Sequence, residues 1–383
     1  MTTSDGRMTS VVIAITLAKP GGATSFALGL ARSLKQQGRS VTLLAGDGDW
    51  LFTECAKLQI PCHRIPSLGR AISPLRDLRS LIELVRHLRR LRPDALHLNS
   101  SKMGVLGALA GRIARIPRII YCIGGWSFLE SLPEHTRRLY TWAERLSAPL
   151  KDVIVCVHPG DAEEAKRLNI RGREETQVIP NGIDIHDLDQ HRFSCEEARQ
   201  LLGLPRDSYI FGTIGNFYPA KDLPRYLAAC ALLHAEHPTV SFALIGDGPE
   251  RAAIETARTE HKLEDVVHLL GHRDEAARYL LAFDTFVFPS AKEGMAFALL
   301  EAMAAALPCV ATDVGANSWV LKTVGWIIPA KDPLKLAEAM KDVYQHRLQA
   351  TERGLQGRTE VETRFPIAET FAAHDHLLFP PEK

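Results

Sequence analysis

Two successive series of short apolar runs, each alternating with longer helix-period segments, predict an α/β protein of two doubly wound parallel-sheet domains, Rossmann-like in type. Three observations carry this prediction. The apolar runs are nearly continuous, as strands covered on both faces read. The segments between them have the length and spacing of helices. The rhythm breaks once, at a turn and polar stretch near residues 180–195, and then restarts. A chain of 383 residues suits two bodies of roughly 150–200 residues each.

In the first series SVVIAITLA (10–18), VTLLA (41–45), DALHL (94–98), RIIYCI (118–123) and DVIVCV (152–157) read as buried parallel strands. Residues 23–37, 74–91, 102–115 and 134–147 read as the helices between them. After the turn PNGID (180–184) the strands are YIFGTIG (209–215), VSFALIG (240–246), VVHLL (266–270), TFVFP (285–289) and PCVAT (308–312). Helical patterns occupy 222–236, 250–261 and 297–306, and the tail from 332 onward is helical, with Pro366 opening its last segment.

Composition narrows the class. At 46% hydrophobic and 24% charged, the chain is an ordinary globular sequence, and no run approaches the roughly 18 apolar residues a spanning helix needs. The N-terminus MTTSDGRMTS has no apolar region of the secretory kind. Seven cysteines, with no C-x-x-C pair and several inside apolar runs, read as buried thiols in a reducing, cytoplasmic setting rather than as disulfides or zinc ligands. The net charge of +1 conceals an asymmetry. Residues 1–151 hold 22 Lys+Arg against 10 Asp+Glu, and residues 152–383 hold 24 against 35. Two bodies with different partners would give this pattern, and so would solvated surface charge.

Four segments could carry chemistry. PSAKEGMAFALLEAMAAALPCVATDVG (289–315) reads as strand, loop, helix, strand. Glu293 and Gly294 fall in the loop at the carboxyl end of a strand, where open α/β sheets bind ligands. Glu301 follows eight residues later, about two turns into the next helix. A carboxylate there can accept two hydrogen bonds from a ribose diol, while the loop carboxylate meets sugar hydroxyls. The backbone N–H groups of Gly294, Met295, Ala296 and Phe297 stand at the positive end of the helix. GTIGNFYPAKDLPRYLAAC (212–230) places Lys221 just before a helix, where it can neutralise a diphosphate. ALIGDGPERAAIE (243–255) sets Arg251 in a first helical turn, against the dipole, which favours a ligand role. KPGGATSFALGLARSLKQQG (19–38) has a Gly-Gly turn, Gly21-Gly22, between the first strand and first helix that matches neither G-x-G-x-x-G nor the P-loop spacing.

Together these segments resemble the family-four retaining glycosyltransferases of GT-B type, and the resemblance spans nearly the whole chain. DALHLNSSKMGVLGALAGRIARIPRIIYCIGGW (94–126), QVIPNGIDI (177–185), the Gly215-to-Lys221 turn, the Arg251 turn, LLGHRDEAARYLLAFDTFVFPSAKEGM (269–295) and the Glu-x7-Glu segment stand in that family's order. The resemblance implies two Rossmann-like domains facing across a cleft. Residues 1–190, joined by a C-terminal helix at 366–383, would bind the acceptor, and residues 191–365 the nucleotide-sugar donor. It implies Glu301 on the ribose, Glu293 on the donor sugar, and Gly294 to Phe297 on sugar and phosphate. Lys221 and Asn216 would meet the diphosphate and Arg273 the nucleobase, with Gly22 also counted on the donor side. Lys221, Glu293 and Arg251 are the expected catalytic residues.

The chain departs from the family at three places. Asn216 stands where Arg is common, which shifts charge neutralisation onto Lys221 and Arg251. Gly124-Gly125-Trp126 stands where many relatives have His-Gly-Trp. The acceptor, or His97 or Asn99, would then fill the missing role, so His97, Asn99, Gly124 and Trp126 are the acceptor-side candidates. Trp319 stands where a Glu is frequent in the turn after the last of these strands.

The expected reaction transfers a sugar from a nucleoside-diphosphate sugar to a lipid-linked or envelope glycan with retention of configuration. It is expected to use no cofactor and no metal, since no His/Cys cluster argues for one. RIPSLGRAISPLRDLRSLIELVRHLRRLR (64–92), with eight Arg against Asp77 and Glu83, makes an anionic membrane surface a candidate partner at the inner face of the cytoplasmic membrane. An ordinary solvated helix reads the same way. No stacking aromatics interleave this run, so nucleic acid is not expected. The competing reading is a catalytically weak or inactive nucleotide-sugar-binding partner subunit.

Overall fold

The computed structural model describes residues 9–130 and 132–381. Residues 1–8 of the polar N-terminal stretch and the last two residues of the expected 366–383 helix lie outside the described residues. The chain divides into two units, Met1–Pro180 with Glu369–Lys383, and Asn181–Ala368.

The first unit runs β1 (Ser10–Leu17), α1 (Gly22–Gln36), β2 (Ser40–Asp47), α2 (Trp50–Lys57), β3 (Cys62–Arg64), α3 (Pro74–Leu91) and β4 (Ala95–Asn99). It continues with α4 (Ser101–Ile113), β5 (Arg118–Ile123), α5 (Glu134–Ser147), β6 (Val153–Cys156), α6 (Pro159–Arg167) and β7 (Gln177–Val178). Its seven strands form one parallel sheet in the order β3-β2-β1-β4-β5-β6-β7. The central strands are apolar end to end because both faces are covered: Val11 to Ile15 and Ile119 to Ile123 are all buried. Right-handed crossovers fix which face each helix takes. The steps β1 to β2 to β3 move one way across the sheet and put α1 and α2 on one face. The steps β3 to β4 to β5 to β6 move the other way and put α3, α4 and α5 on the opposite face.

The second unit contains α7 (Ile185–His191), α8 (Cys195–Leu202), β8 (Tyr209–Ile214), α9 (Leu223–Glu236), β9 (Val240–Ile245), α10 (Arg251–Glu260) and β10 (Val267–Leu269). Then come β11 (Thr285–Phe288), α11 (Phe297–Ala304), β12 (Cys309–Thr312), α12 (Asn317–Leu321), β13 (Trp326–Ile328), α13 (Pro333–Gln345) and α14 (Arg347–Arg364). The strand order is β10-β9-β8-β11-β12-β13, again parallel throughout. Local chemistry sets the helix ends. Ser194 and Glu197 form a reciprocal capping box at the start of α8, and Gly203, at φ 66°, ends it in the left-handed region.

The last helix, α15 (Ile367–Leu378), returns to the first unit and packs on α1, with the Phe26 ring 5.2 Å from that of His374 and 5.9 Å from that of Phe371. The chain divides after Pro180 rather than after residue 190. Residues 181–190 are tied into the second unit, where Asn181 Nδ2 donates to Met295 O at 2.8 Å and Arg358 forks onto Asp189 at 2.6 and 3.0 Å.

Two buried polar clusters organise the first unit. His97, on β4, is fully buried. Asn99 Nδ2 donates to His97 Nδ1 at 3.0 Å, which leaves the proton on Nε2 to donate to His374 Nδ1, also at 3.0 Å. Burial pushes the pKa of both imidazoles down, that of His374 to about 4. On the opposite face Glu144 of α5 accepts from Tyr121 Oη at 3.0 Å and from Lys151 Nζ at 2.8 Å, and Lys151 has no exposed surface.

Candidate active site

In the second unit the strand order reverses at β8: β9 and β10 build outward on one side, β11 to β13 on the other. The carboxyl ends of β8 and β11 therefore flank the switch point where such sheets open to ligands. Both strands send a loop there. The β8 loop ends in a single tight turn, Pro219–Lys221, before Asp222 at φ 49° starts α9. The β11 loop is stitched to it, since Ala291 N donates to Ala220 O at 2.8 Å.

These loops bring Lys221 and Glu293 together. Lys221 Nζ lies 2.7 Å from Glu293 Oε1 and 4.5 Å from the centre of the Phe288 ring. Both side chains are mostly buried, at 21% and 13% exposure, so the pair is screened less than a surface pair would be. The Lys221 stem passes over Gly215, where a Cβ would meet Cε at 3.4 Å.

After Glu293 the chain enters α11 through Gly294, Met295 and Ala296. Two partners hold this entry: Asn181 on Met295 O, and Ala316 N on Gly294 O at 2.8 Å. Gly315, at φ 55°, permits the second contact, since a Cβ there would stand 2.5 Å from the carbonyl oxygens of Glu293 and Gly294. The first N–H groups of α11, beginning at Phe297, have no intrahelical acceptor and form a ready anion site. Glu301 lies on the same helix. Its carboxyl makes no hydrogen bond or ion pair among the described residues, and burial raises its pKa to about 7.

Arg251 opens α10 on the neighbouring loop. That loop interlocks with the β8 loop through Phe217 N to Asp247 O and Glu250 N to Phe217 O, both 2.9 Å. Its guanidinium is engaged by Glu255 at 2.8 Å and Asp247 at 3.6 Å, so its charge is shared with two acids of its own helix and turn. Asn216 lies between β8 and Lys221, its side-chain amide without a hydrogen-bond partner among the described residues, and Arg273 sits on the loop after the edge strand β10, where its Nη1 donates to His272 O at 3.4 Å.

The acceptor-side candidates separate in the structure. His97 and Asn99 are buried at 0% and 3% exposure, and His97 is bonded on both ring nitrogens, so it anchors α15 instead of facing a ligand. Trp126 is also at 0%: its indole donates to Asp161 O at 2.9 Å and stacks on Phe128. A ring that large finds its free energy in the core. Gly124 differs, because a Cβ added there would meet nothing within 4 Å. Gly22 is the first residue of α1, after β1, which borders the switch point between β1 and β4. Trp319 packs on Phe365 and under the Arg364 guanidinium, whose Nη2 donates to the Trp319 carbonyl. Asn181 was the residue the motifs concealed: PNGID reads as a linker turn, and only the fold sets its amide on the α11 entry.

Among the described residues no three His, Cys, Asp or Glu side chains gather as a metal site. Comparison with known proteins now decides the family. Residues 20–187 match the model described as Glycosyltransferase Family 4, and residues 208–346 the model described as Glycosyl transferases group 1. An Escherichia coli relative, UDP-Gal:alpha-D-GlcNAc-diphosphoundecaprenol alpha-1,3-galactosyltransferase, is 31% identical over 274 residues, covering 70% of each chain.

The chain belongs to glycosyltransferase family 4. This glycosyltransferase is also 24% identical, over 90% of each chain, to the putative glycosyltransferase EpsD of Bacillus subtilis. Among solved structures, its fold is similar to Anabaena Alr3699/HepE in complex with UDP and glucose, at TM-score 0.83 and 21% identity, covering 97% of this chain and 99% of that one. It is likewise similar to WaaG, described as involved in lipopolysaccharide biosynthesis, at TM-score 0.79 and 17% identity, covering 97% and 100%. The expected architecture, two Rossmann-like parallel-sheet domains of GT-B type, is therefore the observed one.

Proposed function

We propose that this glycosyltransferase moves a sugar from a uridine-diphosphate sugar to a lipid-linked glycan at the inner face of the cytoplasmic membrane, with retention of anomeric configuration. The observation that carries the donor half is the constellation at the β8–β11 switch point: Lys221 beside Glu293, with the unpartnered Glu301 eight residues further on. The named activity of the E. coli relative supports the nucleotide and the acceptor class.

In this reading the ionised Glu301 accepts both hydroxyls of the ribose, and Glu293 accepts from the donor sugar. The diphosphate draws Lys221 Nζ and the N–H groups at the start of α11. The acceptor hydroxyl attacks the anomeric carbon from the face the diphosphate leaves. The carbon–oxygen bond to the β-phosphate breaks, and the hydroxyl proton passes to the departing phosphate oxygen. Negative charge grows on that oxygen, so a preorganised ammonium and helix start lower the barrier more than they strengthen ground-state binding. Arg251 joins only by leaving Asp247 and Glu255.

The deciding assay incubates the enzyme with UDP-sugars and a polyprenyl-diphosphate-linked sugar. An α-linked product from an α-linked donor is expected, and turnover should persist in chelator. A β-linked product would rule out retention. Nucleotide binding with neither transfer nor donor hydrolysis over a panel of acceptors would favour the inactive-subunit reading.

A further inference from the structure

The outer face of the first unit carries large apolar side chains that no element covers. α5 is fixed inward by Glu144 and Ser147, both buried, which turns its other side to solvent. There Leu139, Trp142 and Leu146 are 58%, 64% and 60% exposed. Arg138 and Arg145 share their stripe, since the five residues fall within about 120° of one another at 3.6 residues per turn. α3 repeats the pattern: Leu75, Leu78 and Ile82 are 77%, 56% and 44% exposed, alongside Arg79 and Arg86. α4 packs against both helices, on the same face of the sheet, and adds Leu109 and Ile113 at 36% and 41%.

The acids of these helices are buried or already paired within the protein. Asp77 pairs with Lys102 at 2.6 Å, Glu83 accepts from Ser67, Glu134 is held by Arg137 and Arg138, and Glu144 is buried with Lys151. Arg79, Arg86 and Arg145 make no ion pair among the described residues. The unit as a whole carries 27 Lys+Arg against 19 Asp+Glu, a balance of +8.

We infer that the α3–α4–α5 face docks flat on an anionic lipid bilayer, with Trp142, Leu139 and Leu146 of α5 inserted at headgroup depth and the arginines on lipid phosphates. An exposed stripe of Trp and Leu flanked by Arg fits that interface on both counts: apolar bodies leave water, and guanidiniums stay at the charged level. A protein partner would have to match arginines interspersed among these apolar residues on both α3 and α5. The inference deepens the lipid-linked-acceptor reading by naming the surface that brings the enzyme to its acceptor.

The test sediments the full chain with vesicles of equimolar phosphatidylglycerol and phosphatidylcholine, and with phosphatidylcholine alone, at low and high salt. Binding only to the anionic vesicles, weakened by salt, is expected. Trp142→Ser with Leu146→Ser should cut the bound fraction about tenfold or more, with melting point and nucleotide binding unchanged, because both residues are solvent-exposed. Arg79→Glu with Arg86→Glu should weaken binding and flatten its salt dependence. Wild type that ignores anionic vesicles, or that binds neutral ones equally, overturns the inference, as do variants that bind like wild type. A dimer that Trp142→Glu converts to monomer overturns it too, because the face would then belong to a second copy. Transfer to a soluble acceptor without vesicle binding sinks this inference alone, whereas vesicle binding without transfer from any nucleotide sugar sinks only the enzymatic reading.

Discussion

Lys221 and Glu293 lie 2.7 Å apart on loops that follow different strands, so an ammonium and a carboxylate from separate loops hold one another. The pair keeps two mostly buried charges compensated. In the proposed function it also couples the two halves of donor recognition, because a diphosphate that draws Lys221 away frees Glu293 for sugar hydroxyls.

Removing either partner should therefore cost more than its own contact. Lys221→Ala is expected to lower kcat by about 10²–10³ and to depress the melting point by leaving Glu293 unpaired. The double variant with Glu293→Gln should recover part of that stability and none of the activity. Additive stability losses in the cycle would show that the ion pair is not coupled.

Glu301 gives a pH signature. Its folded pKa, about 7, lies above the ordinary carboxyl value, so its ionisation opposes folding: the penalty grows as pH rises from about 4.5 to 7 and stays constant above. Glu301→Gln should stabilise the ligand-free protein at pH 8 by about 1–3 kcal/mol, discounted for its partial exposure, and leave pH 4.5 unchanged. The same variant should bind UDP more weakly, and wild-type affinity should fall as pH drops below 7. A melting-point difference that is the same at both pH values would refute this account.

The His97–His374 pair acts in the opposite sense. Both imidazoles have depressed folded pKa values, so their stabilisation is complete above the unfolded value near 6.5 and is lost as pH falls toward 4. Acid should loosen α15 from the sheet, read as protease sensitivity near residue 370 between pH 6 and 5. His374→Phe, which keeps the packing on Phe26 and removes the titration, should flatten that dependence.

Gly124 has room for a side chain. Gly124→His should melt within about 0.5 kcal/mol of wild type and, on the reading that makes position 124 an acceptor-side residue, raise kcat with little change in donor KM. Turnover equal to or below wild type would place Gly124 away from the reacting atoms.

Asn181→Ala removes a buried donor from Met295 O, at a cost of about 1–3 kcal/mol, and loosens the start of α11. Donor KM should rise more than kcat falls. An unchanged KM would mean that the α11 entry needs no such support.

The sequence alone determined the two-domain parallel-sheet plan, because strands covered on both faces must be written as continuous apolar runs, as Val11 to Ile15 and Phe286 to Phe288 are. It also placed Glu293, Lys221 and Glu301 at strand ends and a helix, because turn glycines and helix periodicity are local signals. Short edge strands such as β3 and β7 escaped it, since two or three residues carry no period. The division after Pro180, the burial of His97 and Trp126 and the grip of Asn181 on α11 were decided by tertiary structure. So was the 2.7 Å approach of Lys221 to Glu293, residues 72 positions apart. Each depends on which strand lies beside which, and strand order is a property of the assembled sheet that no local window of residues encodes.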